Sequence, residues 1–381
     1  MGTRSVVVVG AGVFGAWTAL RLARDGWAVT LVEAYGPANG RASSGDHSRV
    51  IRAGYGALDH YTRWATSSLA DWHWLATRTG APLVVESGAL FLGTPGSAHL
   101  SDTAATLRAC GVTHDCLDAA GVASRYPQVG VIGLGDAVFE ARGGASRARR
   151  AVQAAVALGR AAGVRYRQAL VTPFDEADSA PRVRLTTGET IEADQYVVAC
   201  GPWLPAVLPA AVGGRIRVTR QEVLYFGVPP GDGRFALDRL PVWIDFEAGY
   251  YGIPDLDAGG FKVGVDRHGV PIEPDTADRV VDASTVAGVR AFFARRFPAL
   301  TTAPLVGSHV CQYENTTTGD FLIDRHPAWP TLWIVGGGSG HGFKHGPAVG
   351  RHVADLLAGR AAVEPRFALA GKSAGVARAV Y

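Results

Sequence analysis

Val6-Val7-Val8-Val9-Gly10-Ala11-Gly12-Val13-Phe14-Gly15, followed by a helical run to Gly26 and then Ala28-Val29-Thr30-Leu31-Val32-Glu33, is the stretch that decides the fold. Four uncharged β-branched residues read as a strand buried on both faces. Ala16, Ala19, Leu20 and Ala23 then recur at helical spacing, and a second apolar strand closes on Glu33. Gly10 permits the tight turn, Gly12 lets backbone N–H groups approach a pyrophosphate, and Gly15 lets helix and strand pack closely. The helix N-terminus favours the negative charge. Glu33 can accept from both ribose hydroxyls and would repel a 2′-phosphate. A lone G-x-G-x-x-G is weak, but strand, helix, second strand and acid in register predict a dinucleotide site. The fingerprint does not separate FAD from NAD.

The 381 residues could hold two or three domains. Hydrophobic residues make up 48% and charged residues 19%, which suits a large buried core, and a net charge of +3 gives no reason to expect nucleic acid. No basic-then-apolar leader precedes the first strand, and no apolar run approaches the ~20 residues of a membrane span. Cys110, Cys116, Cys200 and Cys311 are few and irregularly spaced. They suit reduced cytoplasmic thiols better than a disulfide framework or a metal site. Of 37 Lys+Arg residues only Lys262, Lys344 and Lys372 are lysines. Lysine kept against that bias points to a need for a compact, titratable ammonium. Lys372 reads as incidental.

Beyond Glu33 the chain enters a Gly/Ser-rich loop and then Asp46-His47-Ser48-Arg49-Val50-Ile51-Arg52, whose two arginines would share a side if they sat on one helical turn. Tyr61 to Thr79 reads as an amphipathic helix with core tryptophans, and Ala148 to Ala162 as a helix. Arg147, Arg149 and Arg150 at the start of the latter read as a solvated face. Asp194 to Trp203 and Trp333-Ile334-Val335 read as buried strands returning to the first sheet, the second followed by Gly336 to Lys344 and a helix from Pro347. Arg217–Phe226, Val242–Asp245, Tyr250–Ile253 and Phe261–Val265 read as antiparallel strands. The nucleotide domain is therefore discontinuous, over 1–82, 146–216 and 305–381. A mostly antiparallel substrate domain is inserted at 83–145 and 217–304.

With these motifs assembled, the chain resembles the D-amino-acid-oxidase-type flavoproteins over nearly its whole length. Within them it is similar to the branch of monomeric sarcosine oxidase, N-methyltryptophan oxidase and the fructosyl-amino-acid oxidases. The likeness rests on the fingerprint, Gly45 to Arg52, Asp194 to Trp203, Tyr251-Gly252-Ile253-Pro254, Phe261-Lys262-Val263-Gly264, Cys311-Gln312-Tyr313, Phe321-Leu322-Ile323-Asp324 and Ser339 to Lys344. It implies an α/β (α+β overall) fold with a Rossmann-type FAD-binding domain. It implies an FAD-dependent amine oxidase that acts on the C–N bond of an N-substituted or cyclic amino acid, giving an imine and H2O2. Cys311 would carry the flavin covalently, Arg49 would lie against its ring, and Lys262 would activate O2. His341 would sit close by as a further catalytic residue. Arg52 and Lys344 would pair with the substrate carboxylate, and Tyr251 and Tyr313 would line its cavity. The implied cofactor set is Gly10, Gly12, Gly15, Glu33, Ser44, Arg49, Cys311, Gly340, Gly342 and Lys344. The partners are a small amino acid and O2, and a cytoplasmic monomer without metal is expected.

One position departs from the sarcosine oxidases. Four residues after Lys262 they have histidine, whereas this chain has Asp266, as the fructosyl-amino-acid oxidases have an acid. An acid among cations is expensive unless a cation or hydroxyl donors meet it, which points to a polar or cationic substituent on the substrate. The competing reading pairs Asp266 with Arg267 or His268. Two other functions stay open: an NAD-dependent dehydrogenase, and a flavin dehydrogenase or biosynthetic imino-acid oxidase that gives its electrons to an acceptor other than O2.

Overall fold

A computed structural model describes residues 3–374. Its first sheet has six strands, in the order Leu322–Arg325, Leu332–Gly336, Gln195–Val198, Ser5–Val9, Ala28–Glu33 and Arg165–Gln168. All neighbours are parallel except the pair made by Leu322–Arg325 and Leu332–Gly336. Val6 to Val9 are at most 4% exposed, because helices Val13–Arg24, Ala148–Ala161 and Gly346–Leu357 cover one face and a second apolar cluster around Val198, Leu204 and Ile334 covers the other. Gly10 has φ +103°, and a Cβ there would run into the Ala199 carbonyl. A Cβ on Gly15 would strike the Gly10 carbonyl oxygen, so Gly15 sets how closely the helix follows the turn.

The second sheet has eight strands, in the order Leu305–Thr316, Ile216–Phe226, Phe261–Val265, Tyr250–Ile253, Val242–Asp245, Ala89–Leu92, Asp136–Glu140 and His114–Asp118. Only Val242–Asp245 and Ala89–Leu92 run parallel. Helix Ala283–Arg296 packs Phe292 and Phe293 against the Trp243, Phe261 and Phe226 rings of one face. Leu305–Thr316 pairs along Ile216–Phe226, with Cys311 opposite Gln221 and Tyr313 opposite Thr219. This strand starts the segment that the sequence reading gave to the nucleotide domain, and it is the seam between the two sheets. Among the described residues no helix is long and apolar enough to cross a membrane.

Three expectations change. Arg49–Ile51 is a strand paired with Gly144–Ser146, not a helical turn, so Arg49 and Arg52 point to different surroundings. The Arg147, Arg149 and Arg150 cluster is a solvated face only in part: Arg149 and Arg150 are exposed, whereas Arg147 is half-buried. The Arg147 guanidinium pairs with Asp257 at 2.6 Å, and Arg149 Nε donates to the Gly45 carbonyl at 2.9 Å, tying the helix start to both sheets' loops. Lys372 is not incidental either. It is 1% exposed and donates to Thr318 Oγ1 (2.8 Å) and the Arg366 carbonyl (2.6 Å). All three lysines of the chain are therefore buried.

Candidate active site

One cavity runs from the fingerprint to the second sheet, with about 1730 Å³ of empty space counting its mouth. Gly10, Gly12, Glu33 and Ser44 line one end, Cys200, Glu314, Arg49 and Cys311 the middle, and Tyr251, Tyr313, Asp266 and Lys344 the other end. Arg52, Gly340, His341 and Gly342 also line it. Gly15 and Lys262 lie outside that lining. Gly15 has the packing role described above, and Lys262 stands behind the wall.

At the fingerprint end, Glu33 accepts from Ala11 N–H (2.7 Å) and Tyr35 N–H (2.9 Å). Burial raises its pKa, and those N–H bonds oppose the shift. Ser44 Oγ accepts from Val13 N–H at 3.1 Å, at the first turn of the helix. A Cβ built on Gly12 would meet only Ser44 Oγ, at an ordinary 3.6 Å. The protein itself thus has room for a side chain there, and the bare backbone serves the cavity. These features fit a bound dinucleotide.

The middle of the site is organised by Asp46, which the sequence reading quoted in a motif without giving it a role. Asp46 Oδ2 lies 2.6 Å from both Lys262 Nζ and Arg49 Nη1, and Oδ1 accepts from Tyr225 OH at 2.7 Å. Lys262 also donates to the Ser48 carbonyl at 2.6 Å. Burial would raise the Asp46 pKa, but Lys262 and Arg49 hold it well below the usual carboxylate range. Burial pushes Lys262 down to about 8, and Asp46 resists that fall. Burial also disfavours the Arg49 charge, yet Cys311 and Asp46 keep its pKa above the ordinary value. Arg49 Nη2 donates to Cys311 Sγ at 3.3 Å and to the Ser43 carbonyl at 2.6 Å.

At the far end stand two buried cations. Arg52 donates to the Gly54 carbonyl and lies 4.4 Å over the Tyr55 ring. Lys344 Nζ donates to Tyr55 OH at 2.9 Å and to the His341 carbonyl at 3.1 Å. Burial and the Arg52 charge drive the Lys344 pKa well below its ordinary value. Asp266 accepts from Tyr313 OH at 3.1 Å. Burial raises Asp266 to about 7 although Arg52, Tyr313 and Lys344 favour its anion. It does not pair with Arg267, whose guanidinium instead donates to the Ala248 carbonyl. The His341 ring is packed against Phe321, with Nδ1 3.3 Å from Tyr55 OH and Nε2 3.0 Å from the Gly319 carbonyl.

Sequence reading missed two further groups here. Tyr55 OH joins Lys344 to His345 Nε2 (2.8 Å). Glu140, 2% exposed, accepts from Ala53 and Gly54 N–H and so fixes the loop that follows Arg52. Burial raises Glu140 to about 7, against those N–H bonds and the Arg52 charge. Its strand lies in the stretch 127–147, where no periodic signal marked an element.

A model of the DAO family, FAD dependent oxidoreductase, matches residues 5–356. A monomeric sarcosine oxidase from Streptomyces avermitilis is 31% identical over 361 residues, covering 93% of each chain. An N-methyl-L-tryptophan oxidase from Salmonella newport is 27% identical, covering 93% of this chain and 95% of its own. Among solved structures, the fructosyl amine:oxygen oxidoreductase (amadoriase I) of Aspergillus fumigatus superposes with a TM-score of 0.79 at 20% identity, over 96% of this chain and 89% of its own.

Proposed function

The chain belongs to the DAO family of FAD-dependent oxidoreductases, and from that premise we propose that it oxidises the C–N bond of an N-substituted or cyclic amino acid. The observation that carries this reading is the pair of buried cations, Arg52 and Lys344, in the same cavity as the dinucleotide fingerprint. Two fixed cations in a desolvated chamber suit a substrate carboxylate. When bound, FAD supplies the oxidation itself and passes the electrons to O2 as H2O2. The chain's residues orient and exclude water. Arg52 and Lys344 hold the carboxylate, and Tyr251 and Tyr313 wall the chamber. His341 backs it through Tyr55. Asp266 and the Tyr313 hydroxyl face the substituent on nitrogen. Lys262, kept cationic by Asp46, is the charge available to O2, and Cys311 is the attachment point for the flavin. The FAD unit is read as 1–82, 146–216 and 305–381 and the substrate unit as 83–145 and 217–304, in a cytoplasmic monomer.

An H2O2-coupled screen of N-alkyl, cyclic and sugar-linked amino acids, each beside its decarboxylated amine, tests the proposal. Turnover of the amino acids with little turnover of the amines is expected. Equal turnover of both would refute the carboxylate clamp. Substrate-dependent flavin reduction with no H2O2 in air would refute the oxidase reading.

A further inference from the structure

Glu314 has no part in the chemistry above, yet it is 7% exposed and lines the middle of the cavity. It lies three residues beyond Cys311 on the same strand, about 10 Å along the chain. Its Oε1 accepts from Gly338 N–H at 3.2 Å. Its Oε2 is buried and has no hydrogen-bond partner among the described residues. That oxygen sits between the ends of two neighbouring parallel strands, 3.6 Å from where a Cβ of Gly201 would stand and 3.4 Å from one on Gly336. Ligands of such sheets bind at the carboxyl ends of the strands. A buried carboxyl oxygen without a partner is costly, so an unfilled position at this place points to a group the cavity receives.

We infer that Glu314 hydrogen-bonds a hydroxyl of the polyol chain that joins the flavin ring to the diphosphate in FAD. This rests on the flavin reading above. The neighbouring parts of the cofactor have their own candidate partners: Glu33 for the adenosine ribose, the bare Gly12 backbone and the N-terminus of helix Val13–Arg24 for the diphosphate, Cys311 and Arg49 for the ring. A carboxylate would repel a diphosphate, whereas a hydroxyl serves either protonation state, donating to the anion or accepting from the acid. Burial raises Glu314 to about 7, so both states are within reach near neutrality.

The test reads affinity, not turnover. In a Cys311→Ser background FAD binds reversibly whether or not the wild type is linked, and its Kd is measured by flavin fluorescence. Glu314→Leu should weaken FAD about tenfold or more, since a hydrogen bond to a buried partner is lost. Glu314→Gln, which keeps the shape and a donor, should stay within about threefold. FAD analogues lacking one polyol hydroxyl at a time then locate the contact. One of them should lose affinity for the parent but not for Glu314→Leu, the non-additivity expected of partners. If Glu314→Leu does not fold, the same analogues are run on Glu314→Gln and Glu314→Ala. Equal losses for every analogue in parent and variants, or undiminished FAD binding without the acid, would overturn the inference and leave Glu314 as a support for the Gly337–Gly338 turn. A parent protein that takes up no FAD would overturn the flavin reading as well.

Discussion

Replacing Asp46 by asparagine should shift the pH dependence of flavin reoxidation to lower pH. Lys262 titrates at about 8, with burial pulling it down and Asp46 holding it up. The contact is 2.6 Å long and buried on both sides. A hydrogen bond between charged groups contributes ~1.5–3 kcal/mol, and one pKa unit is about 1.36 kcal/mol, so Lys262 should titrate roughly one to two pH units lower in Asp46→Asn. At pH 8 about half of the wild-type ammonium is charged, against roughly a tenth or less in the variant. If O2 needs that charge, reoxidation of the pre-reduced enzyme, followed by stopped flow from pH 6 to 10, should be about fivefold or more slower at pH 8. The wild-type rate should fall as pH rises through about 8. Breaking a buried pair costs ~3–5 kcal/mol of stability, so the comparison belongs at low temperature with a circular-dichroism check. The Asp46 contribution to stability is present above 3.8 and is lost as pH falls below it, so the stability gap between the proteins should close in acid. An unchanged inflection in Asp46→Asn, or wild-type reoxidation by Lys262→Met, would refute the reasoning.

Acid precipitation should leave flavin in the wild-type pellet, and Cys311→Ser should release it to the supernatant. Arg52→Ala or Lys344→Met should weaken amino-acid substrates by ~2–5 kcal/mol in kcat/KM and barely affect the matching amines, because a desolvated carboxylate loses its partner. Asp266, raised to about 7, becomes anionic as pH rises through that value. A substrate with a cationic substituent should therefore bind more tightly above pH 7 than below it. Asp266→Asn should flatten that dependence, and Asp266→His should shift preference towards N-methylglycine.

Local order was the legible part of this protein. The strand, glycine turn, helix and second strand of residues 5–33 follow from short-range periodicity and stand in the structure with the expected register. The large antiparallel sheet was legible where side chains alternate, as in Phe261–Val265. What escaped was set by distant partners. Asp46 has its meaning from Lys262, 216 positions away, and Tyr225, 179 positions away. Glu140 acts on Ala53 and Gly54 from the end of a strand that carries no periodic signal. The pair Arg49 and Arg52 was open to a helical reading because spacing alone does not fix the backbone, and antiparallel pairing with Gly144–Ser146 decides it. All three lysines are buried, including Lys372, whose neighbours offered no motif and which reads as incidental from sequence.

The strand Leu305–Thr316 has a consequence for anyone who would re-engineer this protein. Successive residues on a strand face opposite ways, so Cys311 and Tyr313 share one side and the Gln312 between them takes the other. Its pairing with Ile216–Phe226 runs in continuous register from Ile216 to Tyr225 and shifts only between Tyr225 and Phe226. A single residue added or removed between that shift and Cys311 would swap the two sets, offering glutamine to the flavin ring and turning the thiol away. The chamber can be remodelled at Tyr313 one side chain at a time, but the length of the strand is not a free variable. Libraries that vary loop length belong in connecting turns such as Pro229–Gly233, outside the paired strands, where the frame of the strand is left alone.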